Sequence, residues 1–355
     1  MNNQLALIRE EIERRLDAIN DPVSGKGLFT SGRISGLEAR EGGKVSFTIE
    51  APGEAAAQYV ALRAEAEKAA RAVKGVAAVT AVLTAHEPRK AGIGAVKHVI
   101  AVASAKGGVG KSTVAVNLAC AFASLGMKTG LLDLDVYGPS APTLLGVAGR
   151  KPAMNPDKTL QPLEAHGLQT MSVGYLVDPT QAMIWRGAMA TSAVRQMLDE
   201  VQWGDLDVLL LDMPPGTGDV QVTLVQRAPL AGAIIVSTPQ EMALADVRRG
   251  IAMFEKTHAP ILGVIENMAY FEDASGKRTH IFGEGGAKRV AGETGAPFLG
   301  EIPIDVALRE SADAGAPLVA SQPDHPASKR FREIAAAALE NVARLSKPAP
   351  RIRVI

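Results

Sequence analysis

Cysteine is almost missing from this chain: Cys120 is the only one in 355 residues. That excludes an intramolecular disulfide, and it excludes any metal or cluster site built from several thiolates of one chain. Aromatic residues are scarce at 4%, too few for the stacking platforms that carry single-stranded nucleic acids. Neither sign of charge is in excess, because 38 Lys plus Arg balance 38 Asp plus Glu, so no global field draws the chain to nucleic acid or anionic lipid. No apolar run approaches the roughly 20 residues that cross a bilayer. The opening MNNQLALIREEIERRL sets acids among its apolar positions and has neither the basic start nor the cleavage site of a signal peptide. The expectation is a cytoplasmic protein with no nucleic-acid and no membrane partner. His86, His98, His166, His258, His280 and His325 show no paired ligand spacing, so no zinc site is expected, and no Ser/His/Asp arrangement has local support.

What the chain does have is apolar material, 47% of its residues, in a length that suggests two or three domains. Leu5, Ile8, Ile12, Leu16 and Ile19 recur at helical spacing until Asp21-Pro22 stops the helix. Val45, Phe47 and Ile49 alternate as a half-buried strand does, residues 54–73 are Ala-rich and helical, and Val76 to Leu83 reads as a further strand. Residues 1–85 are therefore expected to form a small α+β domain. The stretch HEPRKAGIGAVKH mixes Pro, Gly and basic residues without period, which places a linker at 86–97. From residue 98 to 346 short apolar strands alternate with helical segments, the pattern of an α/β domain whose parallel sheet is flanked by helices. Pro348 and Pro350 break the final KPAPRIRVI, so residues 347–355 are expected to be a loose, solvated tail.

The strand Val99 to Ala103 runs into Ser104-Ala105-Lys106-Gly107-Gly108-Val109-Gly110-Lys111-Ser112-Thr113 and then an apolar helix, a phosphate-binding loop in its required strand-loop-helix context. Its glycines let backbone N–H groups converge on an anion while the helix directs its positive end at the same phosphates. Lys111 would neutralise β and γ oxygens and the Ser112 hydroxyl would ligate magnesium. Asp212, ending the strand Val208 to Leu211, is placed to hold magnesium through water, and the following Pro214-Pro215-Gly216-Thr217-Gly218-Asp219 loop could respond to a γ-phosphate. Asp133-Leu134-Asp135 ends another strand, and Asp135 could orient or deprotonate an attacking water. Asn267, just past the strand Ile261 to Glu266, carries an amide able to pair with an adenine edge. Arg186 after Trp185 is a candidate phosphate or interface contact, with a surface ion pair as the alternative.

AKGGVGKST, LLDLDVYGPSAPTLLG, IWRGAM, LLLDMPPGTGD and VIENMAYF, in this order, resemble the Mrp/ApbC family of ATP-dependent iron-sulfur cluster carriers. A second lysine, Lys106, five positions before Lys111, is similar to the deviant loop of the ParA, MinD and nitrogenase iron-protein class, where it crosses a dimer interface to the partner's nucleotide. The segment before residue 86 resembles a small domain found in cluster-assembly factors. The resemblance implies a homodimer with two ATP sites, ATP and magnesium as cofactors, a bound iron-sulfur cluster, and iron-sulfur apoproteins or assembly factors as partners.

In one place the chain departs from that family. Where members usually carry Cys-x-x-Cys, this sequence reads Glu272-Asp273-Ala274-Ser275-Gly276-Lys277-Arg278-Thr279-His280, expected to be a solvated loop. Cys120, in the helix after the phosphate loop, reads as a core residue. Two other readings stand beside the carrier: a ParA- or MinD-like ATPase switch that positions a partner without a cluster, and a non-hydrolysing adaptor stabilised by nucleotide.

Overall fold

The computed structural model describes residues 2–40, 42–52, 55–86, 92–176, 187–216 and 218–345. The chain divides into two compact units, Met1–Arg89 and Lys90–Ile355. Arg186 with Trp185, Thr217, the tail 347–355 and residues 87–91 of the 86–97 stretch lie outside the described residues. Among the described residues no helix is long and apolar enough to cross a membrane.

In the first unit helix α1 (Asn2–Asp17) is followed by β1 (Ile34–Arg40), β2 (Lys44–Pro52), α2 (Ala56–Arg71) and β3 (Ala78–His86). β1 runs antiparallel to β2 and β2 parallel to β3, in the order β1-β2-β3. Ile12 and Leu16 of α1, Tyr59 and Ala66 of α2, and Val45, Phe47 and Ile49 of β2 form its core, as the helical and alternating periods require. α1 stops at Asp17, which accepts from the Thr30 N–H (2.7 Å) and hydroxyl (2.9 Å). Asp21 is fully buried and accepts from the Ser24 N–H (3.0 Å), the Ser24 hydroxyl (2.5 Å) and the Tyr59 hydroxyl. β1 is not evident in the sequence because Gly36, at φ 62°, and a register shift between Ser35 and Glu38 break its alternation.

The second unit comprises β4 (His98–Ala103), α3 (Lys111–Ser124), β5 (Thr129–Asp133), α4 (Ala141–Leu144), β6 (Leu163–Ala165), β7 (Leu168–Ser172), α5 (Gly187–Asp199), β8 (Val208–Asp212) and α6 (Asp219–Arg227). It continues through β9 (Leu230–Ser237), α7 (Glu241–Lys256), β10 (Ile261–Glu272), β11 (Arg278–Thr279), α8 (Gly286–Thr294), β12 (Phe298–Ile304), α9 (Val306–Asp313), α10 (Leu318–Ser321) and α11 (Pro326–Leu345). Its sheet runs β11-β10-β9-β4-β8-β5-β7-β6, with β12 also paired to β10. All described pairings are parallel except the two that seat the short strands β6 and β11. This is the helix-flanked parallel sheet that the alternation implies. The central strands β4, β5 and β8 are buried along nearly their whole length, which is why they read as unbroken Val/Ile/Leu runs. β4 lies between β8 and β9: the chain leaves it toward β5 on the β8 side and later crosses from β8 over to β9, so the strand order reverses there and opens a crevice at the carboxyl ends of the strands.

Of the 86–97 stretch, residues 92–97 are fastened to the second unit: Gly92 N–H donates to Val201 (2.8 Å) and Lys97 N–H to Leu206 (3.0 Å). β10 extends beyond the strand Ile261 to Glu266 expected from sequence. Met268, at φ 57°, bulges the strand where the sequence suggests an end, and pairing with β12 resumes at Phe271.

Candidate nucleotide site

The loop between β4 and α3 sits in that crevice. The buried Ser104 hydroxyl donates to the Lys106 carbonyl (3.0 Å), curling the chain so that Lys106, Gly107 and Gly108 are exposed while Val109 turns inward. Gly108 has φ 83°, and a Cβ built there would meet nothing within 4 Å: the space over the loop is open. Gly110 has φ 78° and caps α3; a Cβ there would collide with the Asn267 side-chain amide. Asn267 comes from β10, is buried, and donates through Nδ2 to the Val109 carbonyl (2.8 Å), so this amide braces the loop and leaves its Oδ1 for other donors. Ala105, Ser112 and Thr113 are half-buried around the same opening.

Three charged groups are buried just beneath. Lys111, in the first turn of α3 and 6% exposed, forms an ion pair with Asp212 at the end of β8 and lies 3.3 Å from the Ser112 hydroxyl. Asp212 pairs in register with Asp133 at the end of β5. Asp133 accepts from Asp135 N–H (3.1 Å), Ala141 N–H (3.0 Å) and the Ser172 hydroxyl (3.0 Å), which fixes the loop between β5 and α4. Burial, with Asp212 adding like charge, pushes the Asp133 carboxyl up to about 7. Asp135 is half-buried, accepts only weakly from Tyr137 N–H (3.3 Å), and burial raises its carboxyl above the ordinary range. Asp133 is thus fully engaged by the protein, whereas Asp135 retains acceptor capacity.

The loop after β8 is tied to the phosphate loop through backbone: Met213 N–H donates to Val102 (3.0 Å) and Gly216 N–H to Ser104 (3.1 Å). A third tie is a side chain, Gln221 of α6, whose Nε2 donates to the Pro214 carbonyl. Sequence reasoning places Ser104 at the head of the loop without its bracing bond, and misses Ser172 and Gln221.

Glu272 to His280 is solvent-exposed, as expected, but it is ordered as a short hairpin of β10 and β11 rather than an irregular loop. Asp273 closes its turn by accepting from Ser275 N–H (2.9 Å), the Ser275 hydroxyl (2.6 Å) and Lys277 N–H (3.1 Å). The Arg278 guanidinium lies 4.2 Å from the Tyr270 ring centroid and pairs with Glu272 at 2.9 Å. Among the described residues no group of three His, Cys, Asp or Glu could hold a metal ion. Cys120 is 4% exposed within α3, and burial pushes its thiol up to about 12. These residues do not fit a cluster held by thiolates of this chain.

A family profile described as NUBPL iron-transfer P-loop NTPase matches residues 95–339, and one described as iron-sulfur cluster assembly protein matches residues 9–81. The chain is 43% identical over 331 residues to a Synechocystis sp. protein named iron-sulfur cluster carrier protein, covering 90% of this chain and 94% of that one. A Salmonella typhimurium protein of the same name is 51% identical over 246 residues, which span 69% of this chain and 66% of that protein. Among solved structures, a nucleotide-binding protein from Archaeoglobus fulgidus in complex with ADP is similar, with a TM-score of 0.56 and 43% identity over 63% of this chain and 88% of that one.

Proposed function

The chain belongs to the iron-transfer P-loop NTPase family, and from that premise we propose that it is an ATP-hydrolysing carrier in iron-sulfur cluster delivery that works as a homodimer. The observation that carries the nucleotide part is the buried Lys111–Asp212 pair under an open, glycine-lined loop at a helix N-terminus. Phosphate oxygens would take Asp212's place as the partner of Lys111, while loop N–H groups receive the remaining negative charge. Ser112 and Asp212 are hard oxygen donors and fit magnesium, Asp212 through water. Magnesium, when bound, neutralises charge on the transferred phosphoryl group. Asp135 keeps acceptor capacity and a raised carboxyl pKa, which suits a group that orients water and receives its proton. Exposed Lys106 supports the dimer reading, since a lysine on the outer rim of the loop is free to reach a partner's nucleotide.

The cluster is cargo. Soft thiolates must hold it, and this chain offers one buried thiol. Cys120 is buried in α3 with its thiol pushed up to about 12, so the cluster's ligands belong to the scaffold or recipient protein that meets this chain during delivery. Anaerobic reconstitution with iron and sulfide, read by absorbance and metal analysis, tests this in the wild type and in Cys120→Ala, alone and with a thiolate-bearing apoprotein. Clusters are expected only with the apoprotein, and equally in both variants. A cluster on the wild type alone that Cys120→Ala loses would make Cys120 a ligand and overturn the account in which the partner protein supplies the ligands.

A further inference from the structure

Gln221 is a buried polar side chain beside the site, and one end of its amide is unengaged. It is 2% exposed on the first turns of α6. Its Nε2 donates to the Pro214 carbonyl, and its Oε1 is buried with no partner. The amide cannot be turned the other way, since two carbonyl oxygens would then face each other. A buried acceptor without a donor is unfavourable, so this state keeps one end of Gln221 engaged and the other unsatisfied.

The loop that Gln221 grips has few other means of being held. Pro214 and Pro215 have no N–H to donate. Its backbone ties on the phosphate-loop side are Met213 N–H to Val102 and Gly216 N–H to Ser104 (3.0 and 3.1 Å). Ser104 in turn donates its hydroxyl to the carbonyl of Lys106 (3.0 Å). A continuous set of hydrogen bonds therefore runs from the phosphate loop through Ser104 and Gly216 to the Pro-Pro loop, and from Pro214 through Gln221 into α6. From α6 it extends to α5, where Arg227 pairs with Asp199 at 2.9 Å.

We propose that Gln221 is a positioning residue for the hydrolytic reaction: its amide sets where residues 213–216 rest against the phosphate loop, and its Oε1 takes a donor when that segment shifts onto bound nucleotide. The inference rests on the ATP-hydrolysing reading. It assigns Gln221 no contact with the reacting atoms, and its effect passes through the placement of the loop. A purely structural role makes a different forecast: losing the amide would strand the Pro214 carbonyl and lower stability, yet leave kcat unchanged.

The test is Gln221→Leu in the full chain, with Gln221→Met carrying it should the leucine variant not fold. Two quantities are measured: amide hydrogen exchange at Met213 and Gly216 in nucleotide-free protein, and steady-state hydrolysis of magnesium ATP. Exchange at Gly216 is expected to quicken at least about tenfold. The kcat is expected to fall about tenfold or more while KM for ATP stays within about twofold. Unchanged exchange overturns the proposal, as does an unchanged kcat. Wild-type protein without turnover would overturn the ATPase reading instead, and the exchange result would then decide the role of Gln221 by itself.

Discussion

In the first unit Asp21 is fully buried, and the groups around it are supplied by the unit itself: Ser24, Tyr59, and Arg33 at 3.8 Å. In the second unit Lys111, Asp133 and Asp212 are buried together where strands end, beside a loop whose Gly108 faces open space. Both arrangements satisfy the rule that buried charge must be paired. They differ in whether the partner is replaceable. Asp21 is enclosed by donors that have no other task, so it works as a clasp between α1, α2 and the turn that joins α1 to β1. Lys111 and Asp212 neutralise each other only until a phosphate and a cation divide them. A buried ion pair contributes little net stability on its own, so its place at the mouth of a crevice points to exchange rather than to folding.

The sharpest way to break this comparison is to remove one half of each arrangement. Lys111→Ala leaves the Asp212 carboxylate buried and unpaired, which is expected to destabilise the nucleotide-free protein by about 3–5 kcal/mol. Adding Asp212→Asn removes the stranded charge and should recover most of that loss. Denaturant unfolding of the two variants checks it, and equal stability of single and double variants would contradict a buried pair. Asp21→Asn is expected to cost about 1–3 kcal/mol in the transition of the first unit while ATP turnover in the second stays at the wild-type rate. A fall in turnover would mean that the clasp has a task outside its own unit.

A further difference concerns pH, and its sign differs between the units. Burial works against the charged form of Asp21, but Ser24, Tyr59 and Arg33 outweigh it and hold the carboxyl below its ordinary range. Its contribution is therefore present above the unfolded pKa of about 3.9 and is lost as pH falls through the folded value. Asp133 behaves oppositely: pushed up to about 7 in the folded chain, it binds a proton that the unfolded chain has released, so its contribution declines as pH rises from about 4 toward neutrality. Stability curves across that range should flatten in Asp133→Asn and keep their wild-type slope in Asp21→Asn.

The two units were also unequally legible. The phosphate loop, Asp133, Asp135 and Asp212 announce themselves because their chemistry is local: each lies within a few residues of a strand end, and the apolar runs before them have no other use. The strands β6, β7 and β12 escaped notice because they are short, or carry Gly300 and Pro303 within the run. The hairpin over Glu272 to Thr279 was hidden by composition, since polar residues that look solvated can also make ion pairs and a capped turn. Asn267 suggests an adenine contact from its type; its amide nitrogen also engages the Val109 carbonyl, a contact between residues far apart in sequence that no spacing encodes. Gln221 gave no signal at all, because a buried glutamine is recognised only by what surrounds it.

The most direct measurement is steady-state hydrolysis of magnesium ATP by the wild type and by Lys111→Ala, both confirmed folded by circular dichroism under the assay conditions. Turnover by the wild type with a loss of at least about a hundredfold in the variant is the result the account predicts; equal rates in the two proteins, or none in the wild type, would contradict it.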